Sequence, residues 1–213
     1  MLSRDANNLY WMSRYIERAE NLARLVDVAE QSLLDSAMAH SEHFAHFWHP
    51  VLAASAQDEL YTHLYNDNPG LDVATFFTFA ADNPDSIRNC VSSARENARM
   101  VRDQISDELW RDLNTLYLFL NSPAAIAERD SSPQQFYQRI RRSSLLFQGI
   151  ADATIPHREG WNFMRLGRYL ERADKTSRIL DIKNHAPLSD GGKTAISWGT
   201  LLRYCSAQSA HRQ

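Results

Sequence analysis

The chain has 213 residues, 44% of them hydrophobic and 23% charged, a balance that excludes a disordered protein and can fill one sizeable core or two small ones. A net charge of −3 offers no electrostatic case for a nucleic-acid partner, and Cys90 and Cys205 are too few for a disulfide framework. Without an apolar run near the roughly 18 residues of a membrane span, and with no apolar leader at the N-terminus, the chain reads as a cytoplasmic protein.

Seven glycines and seven prolines are about half the ordinary share, so long helices with few turns are expected. The first spans residues 4–38, capped by Ser3, with an apolar stripe at Leu9, Met12, Ile16, Ala19, Ala23, Val26 and Leu33. Spacings of three and four fit a helix and exclude a strand. Residues 43–64 are expected as two short helices broken at Pro50, and residues 66–70 as a turn. A short apolar helix follows over residues 72–81. Asn83 as N-cap and Pro84 at the first position predict a helix to residue 105. Ser106 caps the next, which carries Asp107 and Glu108 where the helix dipole favours acids, and ends at Ser122-Pro123. Ser132-Pro133-Gln134-Gln135 reads as a capping box opening a helix over residues 134–153. Residues 161–184 form the next, and a last helix runs from Trp198 to the chain end without a turn.

The segment from Arg14 to Val28 aligns without gaps on the one from Arg168 to Ile182, with seven of 15 positions identical and five further like-for-like exchanges. This predicts two copies of one structural unit. The polar arc recurs with the apolar one: Arg14, Glu17, Arg18, Asn21 and Arg24 in the first copy, Arg168, Glu171, Arg172, Lys175 and Arg178 in the second. On a single helix such an arc is ordinarily a solvated face laced with weak ion pairs. Repetition of the polar residues instead suggests that the two helices pack side by side, each glutamate held by arginines, a network suited to fixing register. Arg95, Arg99 and Arg102 on the helix before Ser106 would bring further arginines toward the same carboxylates.

The Tyr-Ile/Leu-Glu-Arg-Ala-Glu/Asp motif near both ends resembles the bacterial alpha-E domain family. So do the run from Ser93 to Gln104, Glu108-Leu109-Trp110, Leu113-Asn114, and Trp198 leading to Leu201-Leu202-Arg203. The resemblance covers essentially the whole chain and implies an all-α fold, a bundle of long antiparallel helices in a single domain over residues 1–213. It also implies a member shortened at its C-terminal end. Genes of that family commonly lie beside those for ATP-grasp ligase-like and transglutaminase-like proteins, which implies such partners in a peptide-modifying or peptide-ligating system.

Other motifs point to no chemistry. His40, His43, His46 and His49 recur every third residue, but on a helix that step drifts by about 60°, so all four cannot share a metal, and a packed turn is expected. Gly191-Gly192-Lys193-Thr194 ends like a phosphate loop but lacks its leading glycine and follows no strand. Arg139, Arg141 and Arg142 read as a solvated face. No serine or cysteine sits in an activating setting, and no cofactor or metal is expected. The reading is a non-catalytic accessory or scaffold protein. The alternative is a ligand-binding or enzymatic bundle whose paired Glu-Arg helices form an anion pocket; arginines around Glu17 and Glu171 would then lower their pKa values and make them poor bases. The face of Trp198, Leu201, Leu202, Tyr204 and Cys205 is expected to be partly exposed, favouring self-association or a partner subunit.

Overall fold

The computed structural model of the protein describes residues 1–35, 41–65, 72–185 and 197–211, and among these every regular element is a helix. In chain order they are α1 (Ser3–Asp35), α2 (Ser41–Ser55), α3 (Asp58–Tyr65), α4 (Val73–Thr78), α5 (Ile87–Met100) and α6 (Asp107–Leu120). There follow α7 (Pro123–Ser131), α8 (Pro133–Thr154), α9 (Glu159–His185), α10 (Trp198–Tyr204) and α11 (Gln208–His211). The fold class is all-α. The expected end of the first helix, the turn at residues 66–70, His40 and residues 191–194 lie outside the described residues.

The helix boundaries follow from local chemistry. Ser106 Oγ accepts the Leu109 amide at 3.2 Å and starts α6, which buries Leu109, Leu113, Leu116 and Leu120 at helical spacing. For α5 the cap is Ser86, whose Oγ accepts the Asn89 amide at 3.3 Å, and not Asn83. Asn83 Oδ1 takes the Asp85 amide at 3.0 Å, and this local turn competes with helix entry at Pro84. The helix also stops at Met100, short of residue 105. Ser122-Pro123 does not simply terminate: proline's fixed φ opens α7, a helix the pattern missed. Pro133 likewise opens α8, but the Ser132 side chain makes no capping hydrogen bond.

Two stops escaped the sequence because no glycine marks them. Helix α2 continues through Pro50 and ends at Ala56, which has φ 54°, with the Gln57 amide bonded back to the Leu52 carbonyl at 3.1 Å. Helix α10 ends the same way at Ser206, φ 56°, with the Ala207 amide on Leu202 at 2.8 Å. These left-handed caps are ordinarily glycine's. The last helix is therefore two short ones.

The chain groups into two compact units: residues 1–23 with 77–173, and residues 24–76 with 174–213. In the first, α6 packs on α5, α7 and α8. Its core includes Met12, Ile16, Ile87, Cys90, Leu113, Phe136, Tyr137 and Phe147, and Tyr137 satisfies its buried hydroxyl on Thr78 Oγ1 at 3.1 Å. The second buries Leu25, Val26, Trp48, Val51, Phe76, Ile179, Leu201 and Tyr204, with Tyr61 and Tyr65 edge-on to Phe76. The apolar face of α10 thus divides, Leu201 and Tyr204 buried and Trp198 exposed. No described helix is long and apolar enough to cross a membrane.

Candidate functional site

Within the first unit the two repeated segments lie against each other and run parallel. Met1 pairs with Glu159 through its amino group at 2.9 Å, Gly160 faces Leu9, and Gly167 faces Tyr10. A connection of more than a hundred residues is no tight turn, so nothing requires these two helices to be antiparallel. Glu171 on α9 accepts from Arg14 Nε at 2.7 Å and from Arg18 Nε at 2.7 Å. Glu17 on α1 accepts from Arg172 Nε at 2.6 Å and faces Arg168 Nε at 3.6 Å. The offset of 154 residues that relates the copies turns the first set into the second. Each glutamate is held by the other copy's arginines, one three residues before and one directly after the counterpart glutamate.

The seal is close to complete. The Glu171 side chain has 0% of its surface exposed and that of Glu17 4%, against 20% for Arg14, 14% for Arg18, 23% for Arg168 and 46% for Arg172. Close approach of the helices makes this burial possible: a Cβ at Gly167 would stand 2.3 Å from the Tyr10 carbonyl oxygen. The equivalent position in α1 is the small, buried Ser13. Arg14 also donates to Tyr10 Oη at 3.0 Å and lies over the Trp11 ring at 4.8 Å, so its remaining faces are covered.

The same motif decides the family. A model described as a predicted alpha-helical domain with a conserved ER motif matches residues 1–213. The chain belongs to the Alpha-E family. It is also similar to uncharacterised proteins of Mycobacterium bovis and Mycobacterium tuberculosis, each 25% identical over 97% of this chain. The chain spans about a quarter of the length of these curated relatives. No solved structure matches it.

In this Alpha-E domain the electrostatics differ from the expectation of two acidified carboxylates. Burial pushes Glu17 above its ordinary range, and the opposing pull of Arg172 and Arg168 does not cancel it, while neighbouring Glu20 adds to the rise. Removing a carboxylate from water outweighs two arginines when one stands at 3.6 Å and the other is half-exposed. For Arg18 burial acts downward, but the hydrogen bond and charge of Glu171, with the charge of Asp85, raise it on balance and keep it cationic.

Of the predicted arginines and glutamates, Arg14, Glu17, Arg18, Arg168, Glu171 and Arg172 thus converge. Arg24, Arg95, Arg99, Arg102 and Arg178 do not. Arg95 turns to α6, donating to Asn114 Oδ1 at 2.7 Å and lying 4.5 Å over Tyr117. Arg99 pairs with Glu96 at 2.9 Å, and Arg102 with Asp107. Arg24 reaches the Tyr204 carbonyl at 3.5 Å, and Arg178 pairs with Asp174 at 3.0 Å. The third arginine helix therefore packs on its sequence neighbour α6 rather than joining the network. Asp85, which bonds Arg18, is a member that the sequence reading missed. It lies in the Asn83 turn, outside any periodic segment, and carries no signal of its own. His49 is exposed, and the side chains of His43 and His46 lie outside the description.

Proposed function

We propose that this Alpha-E domain is a non-catalytic helical accessory or scaffold module. The observation that carries the reading is the reciprocal closure of its motif: both glutamates are spent on the opposite helix and present no open carboxylate to a substrate. A buried, mutually paired set of charges fixes the register of two helices better than it performs proton transfer. By family resemblance, the partners are an ATP-grasp ligase-like and a transglutaminase-like protein of a peptide-modifying or peptide-ligating system. Cys90 and Cys205 are both outside any disulfide, which suits a reducing cytoplasm.

The test is co-purification with the ligase-like partner, followed by ATP consumption with and without this protein. Stable capture and an altered rate are expected, with no turnover by this protein alone. Turnover by the isolated protein that is abolished in a folded Glu17→Gln variant would establish the enzymatic alternative. One observation favours that second reading: the upward shift of Glu17 moves it toward the range of a general base.

A further inference from the structure

Beside the sealed network, α8 and α9 of the first unit enclose an open cleft of about 280 Å³. That volume, just below the usual range for ligand pockets, suits a ligand of only a few heavy atoms. Gln148 and Arg168 belong to its lining. Gln148 Nε2 is buried without a hydrogen-bond partner among the described residues and calls for an acceptor, whereas Arg168 Nε is turned to Glu17 at 3.6 Å.

Arg165 provides the charge. Its guanidinium lies 4.5 Å over the Trp161 ring and 5.2 Å over the Tyr169 ring, and donates to Tyr169 Oη at 3.1 Å. Two rings hold it in place, and among the described residues no carboxylate pairs with it. An arginine pre-organised in this way and left without a counter-charge is suited to binding an anion. The lining also holds an acid. Asp152 lies one helical turn from Gln148 on α8, accepts the Trp161 indole N–H at 3.2 Å, and keeps a largely exposed carboxylate.

The geometry points to a binding site for a small zwitterion, its carboxylate on Arg165 and Gln148 and its ammonium on Asp152. The site borders the Glu17–Arg168 pair without using it and stands apart from the scaffold reading. It binds without reacting.

The probes are 4-aminobutyrate, butyrate and butylamine, followed through the Trp161 indole N–H resonance, which is assigned by its loss in Trp161→Phe. For a ligand this small, a dissociation constant on the order of 1 mM is expected for 4-aminobutyrate. Butyrate and butylamine should each bind about tenfold more weakly. Arg165→Gln should weaken 4-aminobutyrate by about tenfold or more. Asp152→Asn should abolish its advantage over butyrate while leaving butyrate binding unchanged. Arg165 and Asp152 are both exposed, so the variants should keep the wild-type far-ultraviolet spectrum. The assignment is overturned if no probe saturates the resonance, if butyrate binds as tightly as 4-aminobutyrate, or if both variants titrate like the wild type.

Discussion

Removing Glu171 should cost this protein more than removing Glu17, although the two occupy equivalent places in the repeat. Glu171→Ala deprives Arg14 and Arg18 of their shared acceptor, and those side chains are only 20% and 14% exposed. Arg18 keeps Asp85, but Arg14 is left with a phenol and an indole. Breaking a buried pair from one side costs about 3–5 kcal/mol. Glu17→Ala frees Arg172, whose side chain is 46% exposed and can return to water, and Arg168, 23% exposed and only 3.6 Å from the carboxylate at its nearest, and it relieves the burial that raises the Glu17 pKa. About 1–2 kcal/mol is expected there, between the surface and buried limits. At roughly 2–4 °C per kcal/mol for a chain of this size, Glu171→Ala should melt about 6–20 °C below the wild type and Glu17→Ala a few degrees below. Thermal and urea unfolding followed by circular dichroism measures both. Equal losses, or a larger loss for Glu17→Ala, would refute the claim that the burial of the orphaned arginines sets the penalty.

Gly167→Ala must push α9 from the Tyr10 carbonyl and should destabilise by about 1–3 kcal/mol, whereas Gly149→Ala, with nothing within 4 Å of the new Cβ, should stabilise by about 0.5–1 kcal/mol; urea midpoints of the two variants decide it. Because the Glu17 pKa is raised in the folded state, the native protein binds its proton more tightly than the unfolded chain. Its stabilising contribution is full below the ordinary value of 4.5 and is lost as pH climbs through the higher folded value. Glu17→Gln should remove that component, so the stability difference between wild type and variant should change over the window that opens at 4.5 and stay level above it; a difference independent of pH would contradict the shift. Ser106→Ala loses the bond to the Leu109 amide and should cost about 1 kcal/mol, seen as a lower melting temperature.

Much of the helical pattern was legible because apolar spacing and capping chemistry act over a few residues. Leu109, Leu113, Leu116 and Leu120 are buried in the places their spacing dictates. The ends failed where two local signals competed, as at Asn83 against Ser86, or where a left-handed cap fell on Ala56 and Ser206 instead of glycine. The candidate site was half legible. Repetition of polar residues pointed to Glu17 and Glu171 and to arginines that hold them, but not to Asp85, whose place depends on a turn. Arg165 drew no notice, because its significance rests on Trp161 and Tyr169 lying on the same helical ridge with no carboxylate paired to the guanidinium among the described residues.

The polar face of α1 is buried, as its repetition in α9 suggests and a helical wheel alone does not. A helical wheel assigns charged residues to solvent, and Arg14, Glu17, Arg18 and Asn21 oppose the apolar stripe as a solvated face would. Yet Glu17, Glu20 and Asn21 are buried along with Ile16, Ala19, Leu22 and Ala23. A helix covered on both faces cannot take its register from apolar contacts alone, since a slip of one turn against α9 would exchange one small or aliphatic residue for another. The charges remove that freedom. Slipped by four residues, Glu171 would lose Arg14 and Glu17 would lose Arg172, each leaving a desolvated carboxylate without its closest cation. Because the pairing is reciprocal, any slip breaks both ends together, so the penalty on a wrong register is double that of a single pair. This is a physical reason for the motif to occur twice in one chain, with the Glu-Arg pairs acting on helix alignment.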